Sequence, residues 1–190
     1  NILTSLKLGI DTQDIEAIKT VYNGVLRDSG NQFYDSKFDI AKLSNIKNDA
    51  IKSILSAKLL EAQNKGISIS VEIEEPVSNF RIELLDFITI LSVLCDNAIE
   101  ATIEAISPRM TVAFMNNDDS LVLIVENSTK SEKVDVNHIF ARGYSSKGEG
   151  RGLGLHNVNS VLEKYPKSTI TTRSANHLFS QTIRFCKVSL

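Results

Sequence analysis

Cysteine is scarce in this chain, and the two present, Cys95 and Cys186, lie far apart. Neither has a CxxC partner or a histidine at zinc-ligand spacing, which excludes a zinc site of that kind. Both read as reduced residues in or near the core of a cytosolic protein. Long hydrophobic runs are also missing: none approaches the roughly 20 residues of a membrane span. The opening "NILTSLKLGI" lacks the basic region of a secretory signal and lacks Met, which suggests a fragment or processed chain. Charge of one sign is absent too. A net charge of -2 gives no reason to expect a nucleic-acid or anionic-membrane partner. There is no internal repeat and no low-complexity tract. What remains is a soluble globular composition, 42% hydrophobic and 23% charged, in 190 residues: one large domain or two small ones.

Glycine is sparse as well, but unevenly so. Five of the nine glycines fall between Gly143 and Gly154, in "GYSSKGEGRGLG". Such a cluster is either a flexible surface loop or a place where backbone must approach something bulky and charged.

The pattern of apolar residues changes near "NKGISIS", residues 64–70. Before it, Leu3, Leu6, Ile10, Ile15, Ile18, Val21, Tyr22 and Val25 recur at helical steps. A polar break around Gly30 follows, then a second helical stretch with Ile40, Leu43, Ile46, Ala50, Ile54, Ala57 and Leu60 as its stripe and Gly66 as C-cap. Two such helices make an antiparallel hairpin over residues 1–65. A partner hairpin, completing a four-helix bundle in a homodimer, would bury their stripes. After Gly66, "ISISVEIE" alternates as a strand. "RIELLDFITILSVLCDNAIEATIEAI" is a helix ended by Pro108, with Leu84, Phe87, Ile88, Leu91, Leu94, Ala98 and Ala101 on one face. "MTVAFMNNDDSLVLIVENS" is a hairpin turning at residues 116–120, "LGLHNVNSVLEKY" a helix, and the C-terminal stretch a strand pair turning near residues 175–177. Residues 66–190 therefore form an α+β sandwich with its helices on one side.

Two stretches carry chemistry. In "LCDNAIEA", Asn97 sits mid-helix at a cost in helix propensity, with Asp96 and Glu100 nearby. An amide flanked by carboxylates suits a hard cation such as Mg²⁺ that keeps most of its waters. The same residues also fit a merely solvated helix face. In "GEGRGLGLHNV", Gly150, Gly152 and Gly154 precede a helix, where backbone N–H groups and the helix dipole favour an anion. Lys147 and Arg151 could add charge-assisted contacts to phosphate. The stretch is not a P-loop, since no GK[ST] ends it, and it does not follow a strand as a dinucleotide fingerprint should.

The order of these pieces resembles the ATP-binding domain of sensor histidine kinases, part of the wider fold shared with gyrase B, Hsp90 and MutL. "LCDNAIEA" resembles the N box, "VENS" a divergent G1 box, "IFARGYSSK" the F box and lid, and "GRGLGL" the G2 box. The helical stretch "LSNIKNDAIKSILSAKLLEAQNKG" resembles the second dimerisation helix of the peptide-pheromone receptor kinases of Gram-positive bacteria, the competence and accessory-gene-regulator type. "NIL" at residues 1–3 resembles the end of their phosphoacceptor motif, which would place the acceptor histidine just upstream of Asn1.

The resemblance implies cofactors ATP and Mg²⁺. Asn97 would hold the metal, with Glu100 beside it. Glu126 or Asn127 would bond the adenine amine, and Phe140 would anchor the lid. Lys147 and Arg151 would meet phosphates cradled by Gly150, Gly152, Gly154 and the start of the helix at Leu155. His138, His156 and His177 would be structural or exposed. The family activity is phosphoryl transfer to histidine and on to an aspartate of a response regulator. The sensor would be a multi-pass plasma-membrane region outside this chain, and the fragment itself would lack its acceptor. Two departures stand out. Val93 occupies a position where the ATPase relatives carry a glutamate base, and "ENSTK" lacks the G1 glycines. They leave open a non-catalytic dimerisation module with a degenerate nucleotide pocket. A serine kinase of the anti-sigma type shares the ATP fold but would not need residues 1–65.

Overall fold

The computed structural model describes residues 41–137, 139 and 154–186. The first hairpin arm, His138, Phe140, Lys147, Gly150, Arg151 and Gly152 lie outside the described residues. The compact unit that holds the described residues begins at Asp39.

A 3-10 turn over Lys42–Asn45 leads to α1 (Asp49–Asn64); β1 (Ser68–Ile73), α2 (Leu84–Thr102), β2 (Arg109–Asn116) and β3 (Ser120–Ser128) follow. After them come α3 (Gly154–Leu162), β4 (Thr169–Ala175) and β5 (Leu178–Cys186). The strands form one sheet in the order β1-β2-β3-β5-β4. β1 and β2 are parallel, which requires a crossover, and α2 supplies it. The remaining pairings are antiparallel. The α+β sandwich read from the sequence is the observed architecture.

Local chemistry accounts for most boundaries. The Asn48 side chain accepts from the N–H groups of Ala50 (3.1 Å) and Ile51 (3.2 Å), capping α1. At the other end Gly66, at φ 77°, donates to Gln63 O (2.9 Å), and Ile67 donates to Ala62 O (3.1 Å). This is the paired-bond helix stop that favours glycine in the left-handed region, with Ala62 and Ile67 on either side of it both buried. The Asn117 side chain accepts from Ser120 N (2.7 Å) and Asp119 N (3.1 Å), closing the β2–β3 turn. Asn176 (φ 53°) and His177 (φ 59°) form the two-residue β4–β5 turn, which needs positive φ at both positions.

The core lies between the sheet and the helical layer. Phe87 of α2 is at its centre, fully buried, with ring centroids 4.7 Å from Phe80, 5.4 Å from Phe185 and 6.3 Å from Phe114. Cys95 is buried on the same helix and Cys186 is half-buried. Burial pushes the Cys95 thiol up to about 12, so it stays protonated and unreactive.

Three sequence expectations change. The second helix does not run unbroken from residue 40. Asn45 donates its side-chain amide to Ile73 O (2.8 Å), and Ile46 bridges Val77 beside the β1 edge. Tertiary pairing there overrides helix propensity, and α1 starts afresh at Asn48. The buried stripe of α1 is Ile51, Leu55, Leu59 and Ala62, whereas Ala50, Ala57 and Leu60 are exposed. That stripe joins the sandwich core with β1 and α2, so packing crosses the boundary drawn at residues 65/66. The periodicity was right but the phase was not: both stripes are apolar, and only the sheet's need for cover decides between them.

α2 also departs from expectation. It ends at Thr102, before Pro108, because the chain must turn to lay Arg109 beside Ser68. Its buried face adds Ile90, Cys95 and Ile99 to the predicted Phe87, Leu91, Leu94 and Ala98, while Leu84 is exposed. A helix flanked by α1 and α3 buries a wider stripe than one packed on the sheet alone.

Leu59→Ala is expected to lower stability by about 3 kcal/mol. Leu60→Ala should lower it by less than about 1 kcal/mol. Urea unfolding midpoints compare the two, and the reverse order would refute the assigned face.

Candidate functional site

Asn97 lies about one and a half turns from the C-terminus of α2 and is half-buried. Among the described residues its side-chain amide has no hydrogen-bond partner. Beside it the chain re-enters at Gly154, the first residue of α3. A methyl group on Gly154 would lie 3.1 Å from Val93 Cγ1, 3.8 Å from Asn97 Oδ1 and 3.9 Å from Asn97 Nδ2. A side chain there would press on Val93, because the α3 N-terminus lies close against one turn of α2. The open N–H groups of that helix end therefore sit next to the Asn97 amide.

The opposite ends of the two helices are tied. Tyr165 Oη donates to Asp86 Oδ2 (2.6 Å), and Lys164 Nζ donates to Asp86 Oδ1 (3.0 Å). Tyr165 Oη also accepts from Glu83 N (3.2 Å). From Asp86 to Asn97 and from Gly154 to Tyr165 are eleven residues each. Along α2 that is roughly 16 Å of helix, and the second span runs the length of α3 and the turn after it. α3 thus lies antiparallel to α2, contacted at both ends. The Tyr165 hydroxyl first, and Lys164 second, hold the Asp86 carboxyl below its ordinary range. Burial, and then the Asp86 bond, push the Tyr165 hydroxyl up. Nothing in the sequence announced this clamp. A tyrosine past a helix end and an aspartate in another helix's first turn are each unremarkable.

The polar residues around Asn97 divide. Asp96 does not converge with Asn97, because adjacent helical side chains point about 100° apart. Its carboxylate instead accepts from Lys58 Nζ of α1 at 2.5 Å. That bond first, and the charge of Asp96, hold the Lys58 ammonium above the usual lysine range despite partial burial. Glu100, one turn beyond Asn97, is exposed. Leu155 is half-buried and packs on the core. Among the described residues no three His, Cys, Asp or Glu side chains gather into a metal cluster. Mg²⁺ held by one amide and its own waters needs none.

The two adenine candidates also separate. Along β3, Leu121, Leu123, Val125 and Asn127 alternate as buried residues on the face that α2 covers, with Asn127 only 3% exposed. Near them Thr102 Oγ1 of α2 donates to Ala98 O (2.7 Å) and lies 3.4 Å from Ser128 O. Glu126 sits on the opposite face, between Thr111 and Ser180. It is therefore removed from the Asn97 side of the sheet, on which Asn127 lies.

Gly154→Ala should push α3 away from α2, costing about 1–3 kcal/mol as overpacking does. Val93→Ala in the same chain should recover part of that loss, so a thermal-unfolding double-mutant cycle should show positive coupling; strict additivity would refute the contact. The Asp86 clamp stabilises the fold above the ordinary carboxylate pKa of about 4 and is lost as pH falls through the depressed folded value. Asp86→Asn should cost about 1–2 kcal/mol at pH 7. The gap to the unmodified chain should narrow in urea titrations as pH falls from the ordinary carboxylate range through the depressed Asp86 value. A gap that persists unchanged at low pH would refute the linkage.

The comparisons agree with this geometry. Residues 82–186, more than half of the chain, match the GHKL domain family. The sensor protein CitS of Bacillus subtilis (strain 168) is 30% identical over 168 residues, 86% of this chain, but the chain spans only 29% of its length. Among solved structures, the nucleotide-free catalytic domain of histidine kinase ThkA superposes with a TM-score of 0.63 at 19% identity, covering 74% of this chain and 92% of that one. Acinetobacter baumannii histidine kinase AdeS gives 0.56 at 17% identity over 99% of this chain and 94% of its own. Full-length ShkA in complex with AMPPNP gives 0.58 at 16% identity, covering 74% of this chain and 30% of that one. With the family match on the segment that holds α2, Asn97 and α3, this chain belongs to the GHKL domain family and has the fold of histidine kinase catalytic domains.

Proposed function

We propose that this chain is the ATP-binding catalytic part of a two-component sensor histidine kinase. The observation that carries the reading is the contact of Gly154 with Val93 and Asn97. It sets a helix N-terminus, a ready anion site, against an amide that has no hydrogen-bond partner among the described residues. A polyphosphate with its metal needs that pairing: backbone N–H groups for the phosphate oxygens and a neutral oxygen for the hydrated cation. In this reading Asn97 holds Mg²⁺, with Glu100 within reach of its water shell. Gly150, Gly152 and Gly154 let backbone approach the phosphates, and Lys147 and Arg151 supply positive charge. Leu155 fixes the start of α3 against the core. Asn127 faces the adenine from the end of β3, and Phe140 anchors the lid.

Bound ATP–Mg²⁺ supplies the phosphoryl group and part of its charge neutralisation. The chain's own work is positioning and electrostatic stabilisation. The acceptor is a histidine outside residues 1–190, with an aspartate of a response regulator beyond it. Homodimerisation belongs to the segment of residues 1–65, and the sensor is a membrane region of the whole protein, of the peptide-pheromone class that the motifs resemble. CitS, a sensor protein by name, and ShkA, solved with AMPPNP, support this direction. Val93 is engaged in packing on Gly154 and carries no base, which disfavours a water-activating ATPase.

Calorimetric titration with ADP or a non-hydrolysable ATP analogue tests the reading. Binding should require Mg²⁺ and should be lost in Asn97→Ala. A folded chain that binds no nucleotide with or without Mg²⁺ would overturn it in favour of a dimerisation module with a dead pocket.

A further inference from the structure

We propose that Lys58 of α1 serves the nucleotide site as a charge-neutralising positioning residue that acts through Asp96. The inference rests on the nucleotide reading given above. α2 contains no lysine or arginine; its charged residues are Asp86, Asp96 and Glu100. Asp86 is held at the far end of the helix by Tyr165 and Lys164. Asp96 directly precedes Asn97, so its Cα lies about 3.8 Å from that of the residue assigned to the metal. A polyphosphate arriving there meets the Asp96 carboxylate and the negative C-terminal end of the α2 dipole. Without a counter-charge both would oppose binding.

Lys58 supplies that counter-charge from a different helix. Its ammonium donates to Asp96 Oδ1 at 2.5 Å, and its side chain is only 23% exposed. Glu61 Oε2 lies 4.0 Å from the same ammonium, but Glu61 has its own partner, Lys65, at 2.6 Å. Lys58 is thus left largely to Asp96. The bond also turns the Asp96 side chain toward α1, away from the side on which Asn97 meets Gly154. For the fold itself the pair matters little. Asp96 is 46% exposed, and half-exposed ion pairs contribute little to stability. A pair weak in stability but placed beside an anion site should show its effect in binding.

The experiment measures the affinity of Mg²⁺–ADP by calorimetry, with thermal midpoints alongside, for the unmodified chain, Lys58→Met, Lys58→Arg and the double variant Lys58→Met/Asp96→Asn. Lys58→Met should bind about tenfold more weakly with a nearly unchanged midpoint, the loss shrinking as salt is raised. Lys58→Arg should keep the affinity. The double variant should recover it, because it removes the carboxylate that Lys58 neutralises. If the double variant binds no better than Lys58→Met, or if affinity falls only in step with the midpoint, Lys58 is a packing residue and the proposal fails. If Lys58→Met binds as the unmodified chain does, the proposal fails and the nucleotide reading stands. If the unmodified chain binds no nucleotide, both fail together.

Discussion

The antiparallel packing of α3 on α2 is the constraint on which the site depends. α2 is the central helix, with Phe87 fixed among three other rings, and α3 is aligned on it from both ends. At one end a glycine allows backbone to touch Val93 and Asn97. At the other a carboxylate collects a hydroxyl and an ammonium. Neither contact would suffice alone. The first removes the side chain that would hold the helices apart, and the second fixes their relative slide. Together they bring the N-terminus of α3 to Asn97 before any ligand arrives, so little reorganisation is needed to bind an anion there.

α1 has a part in this that its sequence does not advertise. It closes the helical layer beside α2 with Ile51, Leu55, Leu59 and Ala62. It also reaches across with Lys58 to the residue preceding Asn97. The helix that α1 was expected to continue is interrupted where Asn45 and Ile46 attach the incoming chain to the β1 edge. The segment leading into the sandwich is thus bound to its sheet edge as well as joined to it by the chain.

Much of the fold was legible because its signals are local. The strand alternation of Ile67, Ile69, Val71 and Ile73, the Gly66 helix stop, and the Asn117 and Asn176–His177 turns depend on residues within a few positions of each other. Asn97 and Gly154 stood out from the sequence because an amide in mid-helix and a glycine at a helix start each carry a cost that calls for a cause. The phase of α1, the end of α2, the Asp86 clamp and the Lys58 pair were not legible. Each is settled by a partner far away in the chain, 38 residues away for Lys58 and Asp96 and 79 for Asp86 and Tyr165.

The sequence by itself determined the element types, the one-sided helical layer and the stretches that hold Asn97 and Gly154. Periodicity and turn chemistry are properties of neighbouring residues, and they survive without knowledge of the fold. Only the tertiary structure decided which of two apolar stripes on α1 is buried, which of Glu126 and Asn127 shares the Asn97 side of the sheet, and that Asp96 takes the Lys58 ammonium. Those choices depend on sheet register and helix rotation. A strand turns its side chains over with a shift of one residue, and a helix rotates them by about 100°.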